Sequence, residues 1–378
     1  MTSKVVDFLN FKYCPILAIS PAEMGAIEQL PGKDRDLILP LFPLKGWLSA
    51  KKMENTLGRI QKSIESRWWI ADIDRTCLVD QKDEKDEKGV YTREVFSTIA
   101  DLLIRTDGYS NWYNFIKNVG LAIPTLQYDE KSTIDEIKNQ ASKLISINRG
   151  LVIRISVKEI APTLFNTIIR ALRDFDSSDL LYILDYGDID RSILQEVDDH
   201  ILLVKKVSAF FPNSVFSISS SSFPFSFSGA YRGEISIYER QFFNRILKEL
   251  PNTNLIYSDR GSARAEKIKG GGGTPPPRID YPLKNDWRFV RKEFDSDESL
   301  TKEELYQNAA IEVMASDYWV PELALWGTQM IELTSKGDDF GITNAARATS
   351  VRINIHMYLQ LHYSDSIEEL DTDEEWVD

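Results

Sequence analysis

Two cysteines in 378 residues, Cys14 and Cys77, each inside an apolar run with no second cysteine beside it, exclude a disulfide scaffold and a cysteine-based zinc cluster. Histidine is nearly as scarce: His200, His356 and His362 are all there are, and none falls at the end of a predicted strand. Histidine-dependent phosphodiesterase, amidohydrolase-type metal and serine-hydrolase chemistry therefore lack their usual base or ligands, and no G-x-S-x-G occurs. No apolar stretch approaches the ~20 residues of a membrane span. The amino terminus, MTSKVVDFLNFKY, has neither a signal-peptide core nor a small-residue cleavage site. A cytoplasmic protein with no membrane association is the expectation. Positive charge is also short: 45 Lys and Arg against 58 Asp and Glu leave a net charge of −13, which works against binding the phosphates of a nucleic acid.

What is present is a folded-protein composition, with 43% hydrophobic and 27% charged residues, and a rhythm. Short β-branched runs recur at 14–20, 36–42, 68–74, 121–127, 151–156, 180–185, 214–219 and 254–259. Between them lie stretches with apolar spacing of three and four, such as STIDEIKNQASKLISI at 132–147. Strands separated by helices must return in parallel, because a parallel return needs a crossover. Such units close most economically into a (β/α)8 TIM-like barrel. A doubly wound sheet would carry a glycine-rich phosphate loop after its first strand; SPAEMGAI follows here, with one glycine.

The rhythm breaks after the eighth run. GGGGTPPP at 270–277 leads into two extended arms around Lys284-Asn285-Asp286, an expected inserted hairpin or lid within 258–293. A helix at 300–316, with capping-box spacing at Thr301 and Glu304, is expected to complete the barrel. The layout predicted is a barrel over 1–320, a helical extension over 321–364 packed on it, and an acidic flexible tail over 365–378. The tail and the mixed-charge run at 82–89 read as solvated chain, with partner docking through the tail as the alternative.

Barrel proteins place working groups where strands end. Alternation along LVIRIS turns Val152, Arg154 and Ser156 inward, and a buried arginine must find an acid. Asp72 and Asp74 share one face of WWIADID, Asp185 ends LLYILD, and NLIYSDRG offers Tyr257, Asp259 and Arg260. Gln127 ends LAIPTLQ. The candidate catalytic carboxylates are thus Asp72, Asp74, Asp185 and Asp259, and the candidate ligand contacts Arg154, Gln127, Tyr257 and Arg260. Their convergence would suit a divalent cation, a phosphate or a sugar, and the spacing does not choose among these or name a cofactor. The alternative is a structural arginine–carboxylate network. The cluster Tyr109, Trp112 and Tyr113 reads as core packing, with stacking on a sugar or base as the lesser reading. The serine-rich SISSSSFPFSFSG at 217–229 reads as strand and loop before it reads as an anion site.

The ordered blocks YCPILAIS, DRDLILPLFPL, GLVIRIS, LLYILDYGDI, SFPFSFSG, IYSDRG, RIDYPLKNDWRFVRK, ALWGTQMIEL and NAARATSVRINIHMYLQ together resemble the Beta protein family of bacterial and phage genomes, over residues 13 to 362. The resemblance implies a barrel-like fold and a setting in mobile elements and phage–host conflict. It implies no established reaction and carries over no catalytic residue. Against the family pattern, Ile19-Ser20-Pro21 stands where a lysine-rich segment follows the first strand, Trp326-Gly327-Thr328 stands for W-G-D, and Asn354-Ile355-His356 stands for a histidine pair. If those groups form the family's site, the resemblance implies an altered or inactive member.

Three functions follow as expectations. The first is recognition of a small polar or anionic ligand at the barrel mouth, as in a sensor of an anti-phage defence or phage-encoded system. The second is a hydrolase or lyase acting on a phosphorylated or glycosidic substrate through the inward carboxylates. The third is a protein-interaction factor using the helical extension and acidic tail.

Overall fold

A computed structural model describes residues 6–80, 85–87, 89–227, 230–265, 275–294 and 300–366. Helices α1 (Pro21–Glu28) and α2 (Gly32–Arg35) precede β1 (Leu41–Leu44), and α3 (Met53–Ile64) leads to β2 (Trp69–Ile73). Three helices, α4 (Thr76–Asp80), α5 (Glu94–Leu102) and α6 (Thr106–Lys117), then lead to β3 (Ala122–Pro124). Alternation continues through α7 (Ile134–Ile145), β4 (Leu151–Ser156), α8 (Pro162–Leu172), β5 (Leu180–Asp188), α9 (Val197–Phe210) and β6 (Val215–Ser221). Next come β7 (Arg232–Ser236), α10 (Tyr238–Glu249), β8 (Leu255–Asp259), β9 (Arg278–Pro282) and β10 (Asp286–Arg291). The chain closes with α11 (Lys302–Met314), α12 (Trp326–Ser335) and α13 (Ala345–Leu361).

The result is a mixed α/β fold with interleaved helices and parallel strands. One parallel sheet has the order β1-β2-β3, a second β4-β5-β6-β8, and β7-β10-β9 form an antiparallel sheet. Parallel bridges tie the first two together. Thr125 bridges Val152, Ile16 bridges Leu41, and Tyr13 bridges both Ile38 and Tyr257. The Cys14 and Ile16 amides donate to the Tyr257 and Asp259 carbonyls at 2.9 Å, while Leu39 N donates to the Tyr13 carbonyl at 2.9 Å.

Alternation along the strands separates two apolar sets. Leu151, Ile153 and Ile155 of β4 join the core under the helices. Val152 packs instead with Ile70, Ile123, Leu181, Ile183, Val215 and Ile256 from the other parallel strands. Burial on both faces is why these strands read as near-continuous apolar runs. Helices begin where the chemistry supplies donors and acceptors: Thr133 with Glu136 and Thr301 with Glu304 both form capping boxes, at the starts of α7 and α11.

The arms around Lys284-Asn285-Asp286 are the antiparallel pair β9 and β10. The pair gains a third strand, the five-residue β7, for which the sequence offers no separate expectation. A second difference concerns the carboxy-terminal helices. Of these helices α13 packs on α1, α12 and β9 and touches β8 through His356 and Asp259, whereas α11 packs on α12 and on β9 and β10. The α13 helix crosses α1 closely, with Ser350 Oγ donating to the Ala22 carbonyl and Asn354 Nδ2 to the Ala26 carbonyl, both at 3.0 Å. It crosses α12 at Gly327, where a Cβ would meet Ile355 at 2.6 Å. From Ser350 to Leu361 it is buried on every side, so it presents no amphipathic stripe from which its placement could be read. Residues 82–84 and 88 of the mixed-charge run, residues 266–274 of the expected lid and residues 367–378 of the acidic tail lie outside the described residues. Among those described, no helix is long and apolar enough to cross a membrane.

Candidate functional site

The carboxyl ends of the parallel strands open onto a cleft of about 1380 Å³. Its floor is set by strand alternation, since Asp72 on β2, Arg154 on β4 and Asp185 on β5 each stand two residues beyond an apolar partner of the inner set, Ile70, Val152 and Ile183. Arg154 lies between the two acids. Its Nη1 donates to Asp72 Oδ2 at 2.7 Å, and its Nε and Nη2 donate to Asp185 Oδ2 at 3.0 and 2.7 Å. Arg260, the first residue past β8, adds two further bonds from Nη2 to Asp185, at 2.9 and 2.6 Å.

The surrounding polar groups fix this arrangement. Asp72 Oδ1 accepts from Thr125 Oγ1 at 2.9 Å and from Gln127 Nε2 at 3.1 Å. Gln127 is itself held from both sides of its peptide by Gln140, and its Oε1 accepts from Arg75 at 3.0 Å. Asp185 Oδ1 accepts the Gly187 amide at 3.0 Å, where the strand register slips and Gly187 takes a φ of +62° that favours glycine. Tyr128 donates to the Arg154 carbonyl at 2.7 Å, and burial pushes its phenol up to about 12, so it stays a donor.

Electrostatics lock the acids in their charged form. Burial opposes the ionisation of Asp185, but the Arg260 and Arg154 guanidinium groups outweigh it and hold the carboxyl well below the usual range. Burial likewise opposes ionisation of Asp72, and Arg154 with Gln127 brings it below its ordinary value. Among the described residues, six cationic side chains line the cleft, Lys45, Arg75, Arg154, Lys158, Arg260 and Arg264, against six carboxylates, Glu23, Asp72, Asp74, Glu159, Asp185 and Asp188. The lining is balanced, with Arg264 paired to Asp188 at 2.8 Å. Among the described residues, no group of three or more His, Cys, Asp or Glu side chains is arranged to hold a metal ion.

The structure thus brings together Asp72, Gln127, Arg154, Asp185 and Arg260 of the residues singled out in the sequence. Asp74 sits at the rim, where its Oδ1 accepts the Thr76 amide at 3.0 Å and opens α4. Tyr257 and Asp259 do not join them. They face the helices, in a fully buried cluster where Asp259 accepts from Tyr13, from Tyr257 at 2.9 Å and from the Gly261 amide at 2.7 Å, and meets His356 Nε2 at 2.7 Å. Period-two alternation gives β8 two faces without saying which is inner; Ile256 belongs to the inner set, and with Ser258 on that same face Tyr257 and Asp259 turn outward. Lys45, Lys158, Arg264 and Asp188 were missed. Lys45 stands two residues past Pro43 on β1, a spacing that could have found it once the inner face of β1 was known.

The remaining singled-out groups serve packing. Trp112 and Tyr109 are buried, and Trp112 Nε1 donates to the Thr125 carbonyl at 2.9 Å. In the serine-rich segment, Ser221 Oγ donates to the Ala263 carbonyl at 2.6 Å and Ser222 binds Glu239, while Phe223 packs edge-on against Trp287. Residues 228 and 229 of that segment lie outside the described residues.

Comparison with known proteins returns one consistent answer. The family model described as Beta protein matches residues 13–362. A curated relative, "Protein beta" of Enterobacteria phage P4, is 24% identical over 376 residues, which cover 98% of this chain and 99% of the relative.

Proposed function

The chain belongs to the Beta protein family, and from that premise we propose that it is a recognition protein built on a (β/α)8 barrel, whose cleft takes a small polar ligand bearing an anionic group. Support for the barrel comes from the parallel bridges: the segment 13–16 is hydrogen-bonded both to β8 and to the residues entering β1, and Thr125 to Val152 joins β3 to β4. In that architecture ligands bind at the carboxyl ends of the strands, where this cleft lies.

One observation carries the ligand reading. The Nε–H of Arg260 is buried in the cleft wall and finds no acceptor among the described residues, although Nη2 of the same group is bound to Asp185. An unmet buried donor costs about 1–3 kcal/mol, and a shift of the Arg260 side chain that turned it into the cleft would let an anionic oxygen satisfy it. The fixed pairing of Arg154 with Asp72 and Asp185 favours recognition over glycoside hydrolysis. That chemistry needs one carboxyl raised in pKa to act as an acid, and both of these are lowered. The phage source of the relative is in keeping with a setting in mobile genetic elements, and in that setting the reading makes the chain a sensor in a conflict between phage and host.

The test is Arg260→Met, which keeps the aliphatic stem and removes the donors. Thermal melts with inorganic phosphate and with sulfate should rise for the unaltered chain, by the equivalent of about 2.7 kcal/mol at one hundred times Kd, and stay flat for the variant. If neither anion moves the melt, and native mass spectrometry of the protein from its own host carries no small polar molecule, the reading is overturned.

A further inference from the structure

The antiparallel sheet β7-β10-β9 ends on β7, and among the described residues no strand pairs with its outer edge. Its register with β10 fixes which backbone groups that edge offers. Gly233 opposes Phe289 and Ile235 opposes Trp287, and in the same series Arg291 N donates to the Tyr231 carbonyl and Ile237 N to the Asn285 carbonyl, both at 2.8 Å. Residues 231, 233, 235 and 237 therefore turn their amides and carbonyls toward β10, and 232, 234 and 236 turn theirs away. Such an edge is a template for another strand.

The outward-bonding positions carry Arg232, Glu234 and Ser236, and the two charged ones have 73% and 55% of their side-chain surface exposed. We propose that β7 pairs antiparallel with β7 of a second copy of this chain, about a two-fold axis through Gly233. That register sets Arg232 opposite Glu234 of the other copy, twice by symmetry, and each pair exchanges two backbone hydrogen bonds. It also sets Tyr231, 65% exposed, opposite Ile235. The adjacent registers that keep the hydrogen bonds put Glu234 opposite Glu234 or Arg232 opposite Arg232, which like charge disfavours. The strand is thus self-complementary in charge in one register. In the present pairs, with Glu312 for Arg232 and Arg288 for Glu234, the β7 member of each is the exposed one and stays open to a second partner. A five-residue ladder is small for an interface, so the dimer should dissociate on dilution.

Sedimentation equilibrium of the full chain over a wide concentration range tests this. A reversible dimer is expected. Arg232→Glu and Glu234→Arg should each weaken it about tenfold, by creating two like-charge pairs, and the double swap R232E/E234R should restore it. Glu234→Pro removes an amide that points outward, a place where an edge strand tolerates proline, and should abolish the dimer while leaving the melting temperature nearly unchanged. A chain that stays monomeric at every concentration overturns the proposal. So does a dimer indifferent to E234P and the single reversals, or a monomer whose β7 edge instead captures a different polypeptide.

Discussion

Replacing Arg154 by methionine keeps most of the volume and removes the charge that two buried acids share. The two are not left equal. Asp185 keeps Arg260 and the Gly187 amide, whereas Asp72 keeps only neutral donors, Thr125, Gln127 and the Ile73 amide. The penalty is thus that of about one orphaned carboxylate, about 3 kcal/mol at neutral pH. Its pH dependence is the diagnostic part. In the native chain the folded pKa of Asp72 is lowered, so its contribution is present above the unfolded value near ~3.8 and is lost as pH falls through the lower folded one. In the variant, burial without the guanidinium raises the folded pKa, so the folded state is favoured at low pH and loses stability as pH rises through the raised value. The gap between the two proteins should widen from about pH 4 to pH 7. Urea denaturation at both pH values measures it, and Arg154→Lys should recover only part, because a single ammonium cannot span both acids. A penalty under about 1 kcal/mol, or one that does not grow with pH, would refute the argument that Arg154 holds the two carboxylates charged.

Two further predictions concern the face of the strands turned toward the helices. Burial pushes the Glu239 carboxyl up to about 8, against the Ser222 amide and hydroxyl that bind it. A raised folded pKa means stability present below the unfolded value and lost as pH rises through about 8. Glu239→Gln should therefore gain on the native chain between about pH 4.5 and 8, by up to about 1.4 kcal/mol per unit, and a gap flat with pH in denaturation would contradict this. Tyr13→Phe removes a hydroxyl donor from buried Asp259, at a cost of about 1.5–3 kcal/mol. Since that cluster faces away from the cleft, anion binding measured by calorimetry should be unchanged; a loss of binding without a lower melt would place Tyr13 in the site.

The amino-acid order alone determined a good deal. Runs of β-branched residues, with three-and-four spacing between them, specified parallel strands joined by helices, because no other connection brings such strands side by side. Alternation within LVIRIS placed Arg154 on the inner face, and the cost of burying a guanidinium alone required acids nearby, which Asp72 and Asp185 supply. The pair Thr301 and Glu304 capped its helix as its spacing required, since a capping box is closed by neighbours in sequence. What the sequence could not decide depended on partners far along the chain. The face taken by Asp259 was fixed by His356, ninety-seven residues away, on a helix with no polar side to betray its position. The third strand β7 is too short to be read without the hairpin it pairs with. The polar cluster predicted as one therefore divides into an accessible cleft around Arg154 and a sealed network around Asp259, because each strand's two faces are locally equivalent and only the packing of distant helices makes one of them inside.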